Sequence, residues 1–340
     1  MMSPLDEIRS LLPLVEDEGD ESTWDSLRRR ITVLNSALWE GRVSWPLVER
    51  WLENFDGRSG HTSEVERLHA LYLLAQFLYY GSTEIRVLLR AQYRDLFLIP
   101  LIQEVRKASG DTRDLDVIRA RLSDELNRTR FLGVGNPSES GVHLLYFFRQ
   151  ENGLTKSIFL DNAEITERFV DPGGVVSRQL QDTSIRRYIF LDDVCGSGDT
   201  ALKYSRNILQ DIRALDPEIE FSYFSIFGTA AGMSNVRTNT LFNARSAALI
   251  ELDASYRCLS NDSRYLRVVP EHVSEATVRD VALHYGNLLA PGHAGGFEDG
   301  QMLFGFHHNT PDNTLPIIWR EVANGSPIPW TPIFRRYPKI

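Results

Sequence analysis

The sequence predicts an α/β protein: a helical N-terminal region, then a parallel sheet with crossover helices, then a C-terminal strand extension. Apolar residues recur at helical spacing up to about residue 130. From about 131 to 255, short apolar runs alternate with helical segments. One of those runs ends in two aspartates and a glycine-rich turn, at the place where open α/β sheets bind ligands. The 340 residues suffice for one large domain or two modest ones at ~150 residues each. The change of pattern puts a helical region at 1–130 and an α/β core with its C-terminal extension at 131–340.

In the helical region, 24–38 and 45–55 read as amphipathic helices. Ser63 and Glu66 form a capping-box pattern, opening a helix that is expected to run to about Tyr80 and stop at Gly81. Ser82 then caps a segment in which Ile85, Leu88, Leu89, Tyr93 and Leu96 recur on one face. The apolar run 68–80 is too short to span a bilayer and carries His69 and Gln76, so a buried helix is expected and no membrane partner. An acidic loop is expected at 16–21.

In the second region, the strand candidates are 158–160, 188–191, 221–227 and 247–252, with helices at 142–149 and 200–215. The polar connection 161–187 contains Asp171-Pro172-Gly173-Gly174, and its length implies an active-site loop or disorder. A last strand at 301–306 precedes His307-His308-Asn309-Thr310-Pro311-Asp312-Asn313.

Lys plus Arg number 37 and Asp plus Glu 46, giving a net charge of −9, which argues against coating nucleic acid by bulk charge. Cys195 and Cys258 lack metal-ligand spacing, and the first residues form no basic leader. A reducing cytoplasm is the expected location.

The chemistry concentrates in Arg187-Tyr-Ile-Phe-Leu-Asp-Asp-Val-Cys-Gly-Ser-Gly-Asp-Thr200. A buried strand delivers Asp192 and Asp193 to its carboxyl end. Gly196, Ser197 and Gly198 form a turn with free amides, and a helix starts near Thr200, favouring an anion. Carboxylates that accept from vicinal hydroxyls, beside an anion cradle, suit a ribose 5-phosphate. Cys195 is expected to be a packing residue.

This segment resembles the phosphoribosyl-pyrophosphate loop of type I phosphoribosyltransferases. The resemblance implies that Asp192 and Asp193 hold the ribose hydroxyls and are the candidate catalytic residues. It implies that Gly196, Ser197, Gly198, Asp199 and Thr200 bind phosphate, and that Mg²⁺ arrives with the ligand near the two aspartates. Asp199 stands where an inward carboxylate would repel phosphate; it is expected to point outward or cap the helix. Purine-salvage members carry an aspartate where this chain has Gly196, which disfavours hypoxanthine or guanine salvage.

The earlier pyrophosphate loop of that family corresponds to Phe131-Leu-Gly-Val-Gly-Asn-Pro-Ser-Glu-Ser-Gly141, where Ser138, Ser140 and Gly141 are candidates. An ordinary Gly/Pro turn explains the same residues equally well. In the connection 161–187, Arg178, Arg186 and Arg187 are candidate phosphate partners. Asn309 and Asn313 become base-reading candidates if the last strand joins the sheet.

The helical N-terminus, SGVHLLYFFRQENGL, FLDDVCGSGDTA, HNTPDNTLPIIW and WTPIFRR together resemble the phosphoribosyltransferase-like conflict effectors of bacterial anti-phage systems. That resemblance implies a phosphoribosyl or nucleotide ligand and a defence-system partner protein. Three functions follow: a phosphoribosyl or ribosyl transferase or hydrolase, a nucleotide sensor without turnover, or an interaction protein whose α/β half is scaffold.

Overall fold

The computed structural model describes residues 21–135, 140–322 and 328–337. In chain order the helices and strands are α1 (Thr23–Ala37), α2 (Trp45–Leu52), α3 (Ser63–Ala75), β1 (Leu78–Tyr80), α4 (Ser82–Ala91), α5 (Ile99–Ala108), α6 (Leu115–Asn127), β2 (Thr129–Gly133) and α7 (Ser140–Glu151). They continue with β3 (Thr166–Val170), β4 (Val176–Leu180), β5 (Arg187–Cys195), α8 (Asp199–Tyr204), α9 (Gln210–Leu215), β6 (Glu220–Thr229), α10 (Ala230–Asn239), β7 (Ser246–Leu252), α11 (Glu275–Leu289), β8 (Phe304–Phe306) and α12 (Pro316–Trp319). Two π-helical stretches, Gln92–Leu98 and Ser205–Leu209, join α4 to α5 and α8 to α9.

The chain divides into two compact units, one made of Met1–Thr83 with Ala254–Ile340, the other of Glu84–Asp253. This division differs from the boundary expected near residue 130. The last quarter of the chain packs with the first quarter, and the α/β unit begins within α4.

In the first unit, Trp51, Phe55, Tyr285 and Trp330 form an aromatic core, with Phe55 at 5.1, 5.0 and 5.2 Å from the other three rings. Trp51 and Phe55 are fully buried, which stabilises the unit by roughly 2–3 kcal/mol each. The apolar run 68–80 splits. Its helix ends at Ala75, and Leu78–Tyr80 forms a strand parallel to β8. The cap of α3 is Thr62, whose hydroxyl accepts from the Val65 amide at 3.4 Å. Glu66 does not reach back to a cap. It is buried and accepts from the Gly57 and Ser59 amides and the Tyr285 hydroxyl.

The second unit holds a parallel sheet in the order β2-β5-β6-β7. Phe159 adds a parallel bridge on the free side of β2, so the expected strand at 158–160 is a single bridge beside a short 3₁₀ turn. Strand β6 is buried along nearly its whole length, as a strand covered on both faces must be. Phe131, on β2, packs against Phe148 of α7 at 5.4 Å and Phe97 at 5.1 Å. Phe190, on the opposite face of β5, packs against Tyr204 of α8 at 5.3 Å and Phe242 at 5.4 Å. Because successive strand residues face opposite ways, α7 and α8 cover opposite faces of the sheet.

The connection 161–187 is a hairpin, with β3 antiparallel to β4 and Asp171-Pro172-Gly173-Gly174 in its turn. Among the described residues, no helix is long and apolar enough to cross a membrane.

Candidate functional site

The chain leaves β2 into α7 on one face and leaves β5 into α8 on the other. Since β2 lies between the Phe159 bridge and β5, the carboxyl ends of β2 and β5 form a topological switch point, the kind of place where ligands bind in doubly wound sheets.

Asp192 and Asp193 stand at this end of β5. Asp192 is partly exposed and Asp193 is 8% exposed. The Tyr223 hydroxyl donates to Asp192 Oδ2 at 2.8 Å, and the Asp193 amide donates to Asp192 Oδ1 at 3.0 Å. The Val194 amide donates to Asp193 Oδ1 at 2.9 Å. Burial, and then the neighbouring Asp193 charge, hold the Asp192 carboxyl well above the ordinary carboxylate range.

The turn after β5 is built by backbone pins. Gly198 has φ +86 and is the N-cap of α8, a left-handed position that suits glycine. A Cβ at Gly198 would stand 2.9 Å from the Gly232 carbonyl oxygen. The Thr229 hydroxyl donates to the Gly196 carbonyl at 2.6 Å, and the Asn235 amide group donates to the Ser197 carbonyl at 3.0 Å. With those carbonyls turned toward α10, the amides of Ser197, Gly198 and Thr200 make no hydrogen bond among the described residues. Ser197 Oγ accepts from the Asp199 amide at 3.3 Å. Asp199 therefore sits in the first helical turn, where its charge is favourable to the helix dipole, and is not the cap itself.

The structure thus brings Asp192, Asp193, Gly196, Ser197, Gly198, Asp199 and Thr200 together. Ser138 lies outside the described residues; Ser140 and Gly141 open α7, and their side chains are outside the description. Arg187 begins β5, at the end away from the aspartates, and pairs with Glu125, Glu220 and Glu104. Arg186 pairs with Asp216, and Arg178 with Asp211. Each of these arginines is thus paired with a carboxylate, and Arg187 lies at the far end of β5 from the acid pair.

The base-reading candidates rested on the last strand joining the sheet. Strand β8 pairs with β1 and not with the four-stranded sheet, so the condition for Asn309 and Asn313 is not met. Asn309 Oδ1 accepts from the Thr310 and Tyr337 amides, and Asn313 is buried with its Nδ2 donating to the Phe297 carbonyl. Asn309 holds the next backbone amide, a usual task of Asn in turns, and both side chains also tie this turn to backbone remote in sequence. Cys195 is buried, and burial followed by the Asp192 charge pushes its thiol up to about 12, so it is no ready nucleophile.

No local sequence signal marks Tyr223, Thr229 or Asn235 as site residues. Tyr223 lies in an apolar strand, Phe221 to Phe227, and only the register of β6 against β5 sets its hydroxyl beside Asp192.

A strand ending in an acid pair, with a pinned glycine turn feeding a helix at a switch point, defines a phosphoribosyltransferase-like α/β protein. The family model described as PRTase-CE matches residues 48–336, and the chain belongs to the PRTase-CE family. The solved Helicobacter pylori xanthine-guanine-hypoxanthine phosphoribosyltransferase is similar at 13% identity, over 40% of this chain and 82% of that one, with a TM-score of 0.21. No curated protein matches the sequence.

Proposed function

We propose that the chain binds a ribose 5-phosphate or phosphoribosyl pyrophosphate type ligand at the carboxyl end of β5. The supporting observation is the pairing of two carboxylates with unbonded turn amides at the switch point. In this reading the amides of Ser197, Gly198 and Thr200 hold the 5-phosphate. Asp192 and Asp193 accept from the ribose hydroxyls, keeping the anomeric carbon fixed for an oxocarbenium-like transition state.

The donors fit ligand-borne Mg²⁺, which is held by one or two carboxylates together with substrate phosphates. Among the described residues, no group of three His, Cys, Asp or Glu side chains forms a cage of its own. Bound there, the ion would neutralise charge on a leaving diphosphate.

A second reading, nucleotide sensing without turnover, is favoured by Asp199 in the first turn of α8 and by Gly196 where a base would stand in purine salvage. Calorimetry with phosphoribosyl pyrophosphate and Mg²⁺, followed by phosphorus NMR with and without nucleobases, separates the two. Binding with consumption supports transfer or hydrolysis; binding without consumption supports sensing. An absence of binding overturns both.

We further propose that the protein works in the cytoplasm as an effector of bacterial anti-phage defence, with a partner protein. The support is the resemblance of its motifs to conflict effectors and its two buried free thiols. Plaque counts on cells carrying the gene with its neighbours, wild type against Asp192→Asn/Asp193→Asn, test this. Equal plaque counts with and without the wild-type gene overturn it.

A further inference from the structure

We propose that the unit formed by Met1–Thr83 and Ala254–Ile340 carries a second ligand site, which takes a nucleoside monophosphate. A cavity of about 500 Å³ lies within this unit, lined by residues from 42–50, 79, 306–310, 321–322 and 330–337. That volume suits a small organic ligand.

The wall is cationic in a chain whose net charge is −9. Arg42, Arg50 and Arg335 converge on the cavity from separate segments, and Glu321 is the carboxylate among its lining residues. The guanidinium of Arg335 stays 3.9 Å from Glu321, and that of Arg42 is 3.9 Å from Glu40. Both separations exceed hydrogen-bond reach. Glu40 accepts from the Ser82 amide and hydroxyl at 2.7 Å each through Oε1, while its Oε2 is the oxygen that faces Arg42. Arg50 has no ion-pair partner among the described residues. Arg50 is thus open to a phosphate, and Arg42 and Arg335, each facing a carboxylate beyond hydrogen-bond reach, keep their N–H donors for the same anion.

The same cavity offers flat faces. Phe334 is stacked on Phe77 at 4.4 Å and fixes one wall. His308 lies parallel to Phe306 at 5.3 Å and 8°. Tyr337 is 63% exposed, although its backbone amide is pinned to Asn309 Oδ1 at 3.0 Å. An exposed aromatic on an anchored backbone is a stacking platform for a base. Phosphate-matching forks beside aromatic faces select an anion joined to a planar ring over either part alone. The polar turn after β8, which the β5 site does not use, thereby becomes part of a wall.

The test is calorimetric titration of the full chain carrying Asp192→Asn/Asp193→Asn with AMP, ribose 5-phosphate and adenosine. AMP is expected to bind, and each fragment to bind more weakly. Adding Arg50→Ala/Arg335→Ala, both solvent-exposed positions, is expected to weaken AMP at least tenfold with the melting temperature kept. Arg50→Glu alone serves where that pair unfolds. In otherwise wild-type protein, Arg50→Ala/Arg335→Ala is expected to leave phosphoribosyl pyrophosphate binding unchanged, so failure here is separable from failure of the β5 site. The proposal is overturned if AMP does not bind, if folded arginine variants bind it as tightly, or if ribose 5-phosphate equals AMP.

Discussion

The Tyr223 hydroxyl, on β6, donates a 2.8 Å hydrogen bond to Asp192 Oδ2 on β5. The bond ties the residue at the carboxyl end of β5 to the aromatic core, where Tyr223 lies 5.5 Å from Phe242. Tyr223→Phe keeps the ring and removes the donor. We expect a stability loss of about 1–2 kcal/mol, the scale of a hydrogen bond to an ionisable group, measured by urea unfolding. A variant as stable as wild type would show that the bond fixes nothing.

The raised Asp192 carboxyl has a consequence for pH. Burial and the Asp193 charge lift its folded value above the unfolded one. Between those values the folded state binds more protons, so this group's contribution falls as pH rises through the folded pKa. Asp192→Asn is therefore expected to be more stable than wild type at pH 7 and to show a flatter decline from acid to neutral. Thermal melts from pH 4.5 to 7.5 check this; a less stable variant at pH 7 contradicts it.

Gly198→Ala tests the turn. The position has φ +86, and a Cβ there would lie 2.9 Å from the Gly232 oxygen and 3.0 Å from Val236 Cγ2. The expected cost is roughly 1–3 kcal/mol from backbone strain, read by denaturant unfolding. Loss of ligand binding is expected with it, because the turn must move off α10. An unperturbed melt would mean that the turn is not held as described.

Glu66 makes a matching test in the other unit. Burial alone would raise its carboxyl, yet hydrogen bonds from Ser59, Tyr285 and Gly57 outweigh burial and hold it below the usual range. Its stabilisation is present above the unfolded pKa and is lost as pH falls through the folded one. Glu66→Gln places an amide NH₂ donor where an acceptor is required, at an expected cost of about 1–3 kcal/mol. The difference from wild type should shrink below pH 4. A difference that grows on acidification contradicts the network.

The site's strand, acid pair and turn were legible because they are local: an apolar run, a charge pair, glycines and a helix follow one another in the chain. What set their surroundings was not. Tyr223, Thr229 and Asn235 reach the site through the register of β5 with β6 and the start of α10, which no local pattern encodes. Leu78–Tyr80 continues an apolar run whose first half is helical, so periodicity could not mark the change to strand. The hairpin β3–β4 is mostly exposed on both faces and shows no alternation to betray it. Glu66 has the spacing of a capping box, but Tyr285, remote in sequence, takes its carboxylate. Asn309 and Asn313 follow a strand whose partner, β1, lies in the first quarter of the chain.

The most direct measurement is calorimetric titration of phosphoribosyl pyrophosphate with Mg²⁺ into wild-type protein and Asp192→Asn/Asp193→Asn, beside melting curves. Charged acceptors contribute ~1.5–3 kcal/mol per hydrogen bond to ligand hydroxyls, and amides accept more weakly. The variant is expected to fold and to bind at least about tenfold more weakly. Unchanged affinity in a folded double variant would contradict the assignment of this acid pair to the ligand.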